Sequence, residues 1–144
     1  MKWVTRKRVQ VNRTATAWLV QRFIDPSAEF LFVDPQDVEA VQREQSAIGF
    51  DAPGSTYPHR DDQGRCSFEA LVDEHCAGDP VLRAMAAIVH GADFSAEVHH
   101  TPESAGLRAI SAGFPLVSKG DLDTIARASF LYDALYASLK TRFQ

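Results

Sequence analysis

Apolar positions in the first third of the chain fall into three short groups that predict β-strands. Residues 2–11 alternate loosely between apolar and polar side chains, and residues 3–6 within this stretch are predicted to form an edge strand. Residues 29–33 are rich in aromatic and branched side chains, and residues 47–50 form a shorter group of the same kind. The sequence therefore predicts a small sheet near the amino terminus.

Helical periodicity separates these strands and then continues through the rest of the chain. Helices are predicted over residues 14–24 and 34–44, the first ended and the second begun by an Asp-Pro pair. Beyond the following loop, capping residues and apolar spacing predict four more helices, over residues 67–76, 79–91, 101–112 and 120–140. The expected fold is a single α+β domain over residues 1–144, mainly helical, with its helices packed on the small amino-terminal sheet.

The charge of the chain bears on its partners. The 144 residues carry a formal net charge of -4 at pH 7. An acidic balance argues against nucleic-acid binding, which usually needs a basic face. The one group of cations is short and comprises Lys2, Arg6, Lys7, Arg8 and Arg13. Direct DNA binding is therefore not expected.

The sequence also indicates a compartment. The basic start is not followed by an apolar leader, and no apolar run is long enough to cross a bilayer. The cytoplasm is the expected location, with no membrane partner. The two cysteines, Cys66 and Cys76, form neither a disulfide framework nor a CxxC pair.

Residues 51–65 form the longest irregular stretch, and long loops inside compact domains tend to be functional. This loop carries His59 and leads into Cys66 and Glu69, whose side-chain types hold zinc and similar metals. The spacing matches no standard metal motif, so only the residue types indicate a metal. Cys66 is either a thiol activated by a helix amino terminus, which lowers its pKa, or a small buried apolar side chain. His59 is either a ligand or a solvated loop residue.

Three of the predicted helices carry an acid within their apolar stripe, namely Asp93, Glu103 and Asp133. A buried carboxylate is costly unless it is paired, hydrogen-bonded or bound to a cation. Each acid also has a structural interpretation. Asp93 would end its helix in solvent, Glu103 would complement the helix dipole, and Asp133 would pair with an arginine such as Arg13 or Arg22.

Four polar side chains are predicted to form one divalent-metal or oxyanion site: His59, Glu69, His90 and Asp93, with Cys66 nearby. His90 and Asp93 are three residues apart and so share a helical face. The two helices that contain Glu69 and His90 are joined by a short link, which makes them neighbours. An antiparallel hairpin would place Glu69 beside His90 and Asp93. Hydrogen-bonded clustering without an ion has the same geometry.

Several short motifs occur in one order along nearly the whole chain. They are Trp3-Val-Thr-Arg6, Asn12-Arg13, residues 17–26, Phe32-Val33, Gly49-Phe-Asp51, His59 with Cys66-Ser-Phe-Glu69, residues 88–93, Pro102-Glu103, Gly106-Leu107 and residues 132–136. In this order they resemble the carboxy-terminal domain of the ChrB-type chromate-resistance family. The resemblance implies a role in resistance to chromate, by sensing chromate or responding to chromate stress. Full-length members carry an additional amino-terminal region linked to DNA.

Three kinds of function stay open at this point. The first is a divalent-metal site, for zinc or a similar ion, which the sequence favours because the inward polar groups are mostly acids and imidazoles. The second is a sensor that binds chromate or a related tetrahedral oxyanion through Arg6 and Arg13. The third is a non-catalytic interaction domain whose polar cluster is structural. The sequence decides neither catalysis nor the oligomeric state.

Overall fold

A computed structural model describes all residues, Met1–Gln144, and contains a three-stranded sheet and seven α-helices. The strands are β1 (Lys2–Arg6), β2 (Glu29–Val33) and β3 (Ile48–Gly49). The helices are α1 (Val11–Leu19), α2 (Val38–Gln45), α3 (Ser67–His75), α4 (Pro80–Asp93), α5 (Ser104–Ala112), α6 (Phe114–Val117) and α7 (Asp121–Lys140). This confirms the predicted α+β class, with helix predominant and the sheet at the amino terminus.

The sheet is parallel throughout, in the order β2-β1-β3. The prediction that residues 3–6 form an edge strand is therefore wrong, because β1 is central. Trp3, Val4 and Thr5 are all buried, as expected for a strand covered on both faces. Trp3 belongs to the main apolar core, whereas Val4 packs into a smaller cluster on the other face with Val38.

The two early helices differ from their predicted limits. The first begins at Val11, three residues before its predicted start, and its last residues form a π-helical turn, Val20–Ile24. The helix predicted from residue 34 begins as a 3-10 turn, Pro35–Asp37, and continues as α2.

The second half contains the four predicted helices and one more. The additional helix, α6, is a single turn that carries Pro115 near its start. A single turn is too short to show a helical period, which is why the sequence pattern did not reveal it. The predicted start at Asp79 is confirmed in detail, since its carboxylate accepts hydrogen bonds from the amides of Val81 and Leu82.

The position of α1 explains how the halves of the chain are joined. This helix packs against α3, α4 and α7, and its Trp18 contacts Tyr132 and Tyr136 of α7. The amino end of α1 follows directly from the carboxyl end of β1. The carboxyl end of β3 meets the same edge of the sheet, because the strands are parallel. This edge is where the polar site is built.

Candidate functional site

The polar site is centred on Asp51, which follows β3 and is 1% exposed. Its carboxylate accepts a hydrogen bond from Arg13 Nη1 at 3.0 Å, and Arg6 Nη2 lies 3.3 Å from it. His59 Nδ1 is 2.7 Å from the same carboxylate, and Arg6 Nε donates to the Asp51 carbonyl at 2.6 Å. Asp51 adopts a left-handed backbone conformation with φ of 52°, and its side chain is buried.

Asp93, the last residue of α4, completes a group of three possible metal ligands. Its Oδ2 lies 3.4 Å from His59 Nδ1. One ligand atom from each of Asp51, His59 and Asp93 lies within 4.8 Å of the others. We call these three residues the Asp-His-Asp cluster. The Asp93 side chain is only 9% exposed, and its buried Oδ2 has no hydrogen-bond partner. The alternative that Asp93 ends its helix in solvent is therefore wrong.

The three groups of the cluster affect one another's protonation. Burial would raise the pKa of Asp51, but the hydrogen bond from His59 and the charges of Arg13 and Arg6 outweigh burial and hold that pKa below its usual value. Burial, followed by repulsion from Asp51, raises the pKa of Asp93 to about 6. The hydrogen bond to Asp51 raises the pKa of His59. One histidine thus lies between two carboxylates that have opposite pKa shifts.

Glu69 and His90 form a second polar group nearby. The antiparallel arrangement of α3 and α4 brings Glu69 Oε1 to 2.6 Å from His90 Nδ1. His90 Nε2 lies 3.2 Å from Glu97 Oε2. Burial alone would lower the pKa of His90, but its hydrogen bonds to Glu69 and Glu97 raise it. Both imidazole nitrogens therefore have a carboxylate partner.

The four predicted ligands thus lie in two pairs, His59 with Asp93 and Glu69 with His90. The ring of Phe94 contacts both histidines edge-on, with centroid separations of 5.1 Å to His59 and 4.7 Å to His90. The hairpin argument is supported for Glu69 and His90. A metal role for that pair stays a prediction.

Of the two interpretations of Cys66, the activated thiol does not hold. The residue is fully buried at the start of α3, and burial raises the pKa of its thiol well above the usual value. Its backbone amide donates to Glu69 Oε1 at 2.9 Å, which forms one half of a capping box. Burial overrides the effect of the helix dipole here, so the interpretation as a small buried apolar side chain is the correct one.

Glu103 and Asp133, the other candidate acids, lie away from the Asp-His-Asp cluster. Glu103 pairs with Arg142 at 2.9 Å near the surface. Asp133 accepts from Trp18 Nε1 at 2.7 Å and pairs with Arg22 at 2.8 Å. The alternative pairing of Asp133 with Arg22 is confirmed.

The predicted anion ligands, Arg6 and Arg13, both contact Asp51. Each arginine thus already has a carboxylate partner, and their anion-binding role stays a prediction. Asp51 itself was not among the candidate ligands. Its position just after a strand carried a usable signal, since strand ends of a parallel sheet meet at one edge, but the sequence did not show that the sheet is parallel.

Arg108 of α5 was also missed. Its Nη1 donates to the carbonyls of Ala92 at 2.8 Å and Asp93 at 3.3 Å. It therefore contacts the carboxyl end of α4, beside the Asp-His-Asp cluster. A cavity of about 230 Å³ opens there.

Sequence comparison shows the family to which this chain belongs. A family model described as ChrB, C-terminal domain, matches residues 3–139. This chain belongs to that family. Protein ChrB of Cupriavidus metallidurans is 36% identical over 142 residues, and the alignment covers 94% of this chain and 40% of that protein. No solved structure matches. No helix combines the length and apolar character needed to cross a membrane.

Proposed function

We propose that this domain holds a divalent cation, zinc or a similar ion, at the Asp-His-Asp cluster and that this site serves a response to chromate stress. Family membership supports the association with chromate resistance. This chain spans 40% of the length of the curated relative, so a sensing role is part of the proposal.

The observation that carries the cation proposal is the buried Oδ2 of Asp93, which lacks any donor. A buried carboxylate oxygen without a partner is costly, and a bound cation removes that cost. The atom lies beside an imidazole nitrogen and a second carboxylate, which together offer the oxygen and nitrogen ligands that zinc accepts. The residues present therefore fit a divalent ion.

The surrounding side chains have separate roles in this proposal. Arg6 and Arg13 fix the orientation of Asp51 from two sides. A cation would take the place of the proton between His59 Nδ1 and Asp51 Oδ1, since a metal ligand must be deprotonated. In this proposal the domain acts by binding the cation, without a covalent reaction.

The test is the metal content of protein purified without a metal-affinity tag, followed by titration with Zn²⁺ and Mn²⁺. We expect about one equivalent per chain in the unmodified protein. His59→Gln and Asp93→Asn should lose it. His90→Gln is the matched control, because His90 is the neighbouring histidine, with Glu69 as its partner.

Retention of metal by both His59→Gln and Asp93→Asn would contradict the assignment. Loss in His90→Gln alone would instead support a site at Glu69 and His90. Cells that carry Asp93→Asn should also tolerate less chromate than cells with the unmodified protein. If no variant and no unmodified protein binds metal, the polar cluster is structural and the chain acts as an interaction domain.

A further inference from the structure

Helix α7 carries apolar side chains on both of its faces. The residues of its inner face that are buried in the core include Ile125, Ala128, Tyr132 and Leu139. The apolar residues of its outer face are all exposed, namely Leu122, Ala126, Phe130, Ala134 and Ala137. A helix with one buried face normally presents polar side chains to water. The outer face of α7 is therefore suited to contact with another surface.

Phe130 lies at the centre of this outer face and is 81% exposed. Single exposed apolar side chains are common, but contiguous groups mark interaction surfaces. A groove runs along the flank of α7 beside Phe130, and its apolar lining includes Ile110, Phe114, Val117 and Leu131. Leu116 of α6 is also largely exposed. The apolar surface thus extends from α7 across the groove to α6.

The side chains on either side of Phe130 match one another, which indicates what covers this face. Consider a second copy of α7 that packs antiparallel across a two-fold axis through Phe130. Each residue before Phe130 then meets the residue that lies the same number of positions after Phe130 in the second copy. Ala126 faces Ala134 of the second copy, and both side chains are small. The helix axes can therefore approach to the usual distance of about 8–10 Å.

Charged side chains flank the outer face at matching positions. Arg127 is three residues before Phe130 and Asp133 three residues after it, on opposite sides of the face. Antiparallel packing therefore places each Arg127 opposite Asp133 of the other copy. Arg127 uses only Nη1 within its own chain, so Nε and Nη2 are available. The Asp133 side chain is 45% exposed although it already has an arginine partner.

The same symmetry would cover the groove. The groove adjoins Arg127, so it faces the side of the second copy that bears Asp133. On that side Phe23 packs against Tyr136, with ring centroids 5.4 Å apart, and is still 40% exposed. An apolar side chain of the second copy is thus available to the groove. A stable interface needs about 800 Å² from each partner, and the helix with the groove offers more surface than the helix alone.

We infer that this chain forms a two-fold symmetric dimer in which the outer faces of two α7 helices pack antiparallel around Phe130. The partner is a second copy because the matching residues, Ala126 with Ala134 and Arg127 with Asp133, belong to one chain. The dimer is independent of the proposed function, since no residue of the Asp-His-Asp cluster lies on α7.

The test is sedimentation equilibrium of the full chain, with and without Zn²⁺. Interfaces of standard size bind with micromolar or tighter affinity, so about 50 µM protein should have twice the mass of one chain in both conditions. Phe130→Asp should raise the dimer dissociation constant at least about tenfold, because it places a charge at the centre of an apolar contact. Circular dichroism should show an unchanged fold, since Phe130 is exposed. Phe143→Asp, at another exposed phenylalanine beyond the end of α7, is the matched control and should leave the dimer intact.

Cysteine cross-linking tests the antiparallel arrangement. A Cys76→Ser background removes the native thiol that is not fully buried. Under mild oxidation, Ala126→Cys chains mixed with Ala134→Cys chains should form a disulfide-linked dimer, because the two positions face each other within disulfide reach. Neither variant alone should do so, because identical positions would be about 12 Å apart along the helix axis.

Three results would overturn the dimer: a monomeric mass at all concentrations, a dimer that Phe130→Asp leaves unchanged, or equal cross-linking in the mixed and separate samples. Metal uptake by a monomeric chain would leave the proposed function intact. A dimer that binds no metal would contradict the proposed function alone.

Discussion

Asp93 is held in its charged form at a cost to the folded protein. It is nearly buried, lies close to Asp51, and ends a helix, where the dipole disfavours a negative charge. Proteins often accept a loss of folding stability at their binding sites. The residue therefore has a clear signature in stability measurements that does not depend on any ligand.

We predict that Asp93→Asn stabilises the metal-free protein near pH 8. The folded-state pKa of about 6 lies above the usual 3.8, so the folded state binds more protons between these values and stability falls as pH rises through that window. A shift of this size corresponds to about 3 kcal/mol of unfolding free energy at most. Urea unfolding at pH 8 should show a gain of about 1–3 kcal/mol.

The same variant supplies its own control. Below about pH 3 the Asp93 carboxyl is protonated in both the folded and the unfolded state, so Asp93→Asn should match the unmodified protein there. A gain that is equal at pH 3 and pH 8 would show that packing, rather than charge, causes the effect. A loss at pH 8 would contradict the raised pKa.

Sequence reasoning found only part of the site at this scale. Asp93 and His59 were found because an acid in an apolar stripe and a histidine in a long loop are local patterns. Asp51 and Arg108 were missed because their importance comes from partners far along the chain. The sequence left two interpretations of Cys66 open, because its helix position is a local pattern whereas its burial depends on the packing of other elements.

Among the structural elements, the loop over residues 51–65 controls the geometry of the site. The loop carries His59, and the next residue, Arg60, anchors the loop. The two terminal nitrogens of Arg60 lie 3.3 Å from the two oxygens of Glu97, and its guanidinium lies 4.3 Å from the centroid of the Phe94 ring. Arg60 thus holds the loop against the segment that follows α4.

We predict that Arg60→Ala weakens cation binding about fivefold without unfolding the protein. An exposed ion pair contributes about 0.2–1 kcal/mol and an exposed cation–π contact about 0.5–1 kcal/mol, and their sum corresponds to a factor of about 3 to 30, which includes the expected one. Stopped-flow measurements should show faster cation dissociation with unchanged association. Arg60→Lys should restore part of the affinity, and Arg43→Ala, on the exposed face of α2, should have no effect. An unchanged dissociation rate in Arg60→Ala would contradict an anchoring role.

The helices of the second half could be predicted because each has a local start and a repeating apolar stripe. The order and direction of the strands could not, since they depend on pairing between residues far apart in the chain. Val4, for instance, is paired with both Leu31 and Gly49. The pattern around residues 3–6 indicated an edge strand, but β1 is paired on both sides and α2 covers one of its faces.

Across the whole molecule, the cations are distributed in a way that bears on DNA binding. Of the basic residues near the amino terminus, Arg6 and Arg13 turn inward to Asp51, and Lys7 lies 3.4 Å from Asp34. The net charge is -4. Carboxylate partners thus offset three of the five cations in this group, which weakens the basic charge that nucleic-acid binding needs.

We predict that this chain alone does not bind duplex DNA with useful affinity. Fluorescence anisotropy with DNA from a chromate-resistance operon should show no binding at low micromolar protein in about 50 mM salt, where electrostatic binding is strongest. Binding that is tight in 50 mM salt and lost by about 200 mM salt would contradict this prediction. A basic DNA-binding protein measured alongside provides the positive control.

The Asp-His-Asp cluster joins distant parts of the chain, and this has a consequence for folding kinetics. Arg6 and Asp51 are 45 positions apart in the sequence. Asp93 lies still further along the chain, at the end of α4. Contacts between distant residues tend to form late, because the chain must first lose the entropy of closing large loops. A cation bound here would meet its complete ligand set only after the sheet and α4 have docked. Bound metal would therefore slow unfolding and leave the rate of folding nearly unchanged.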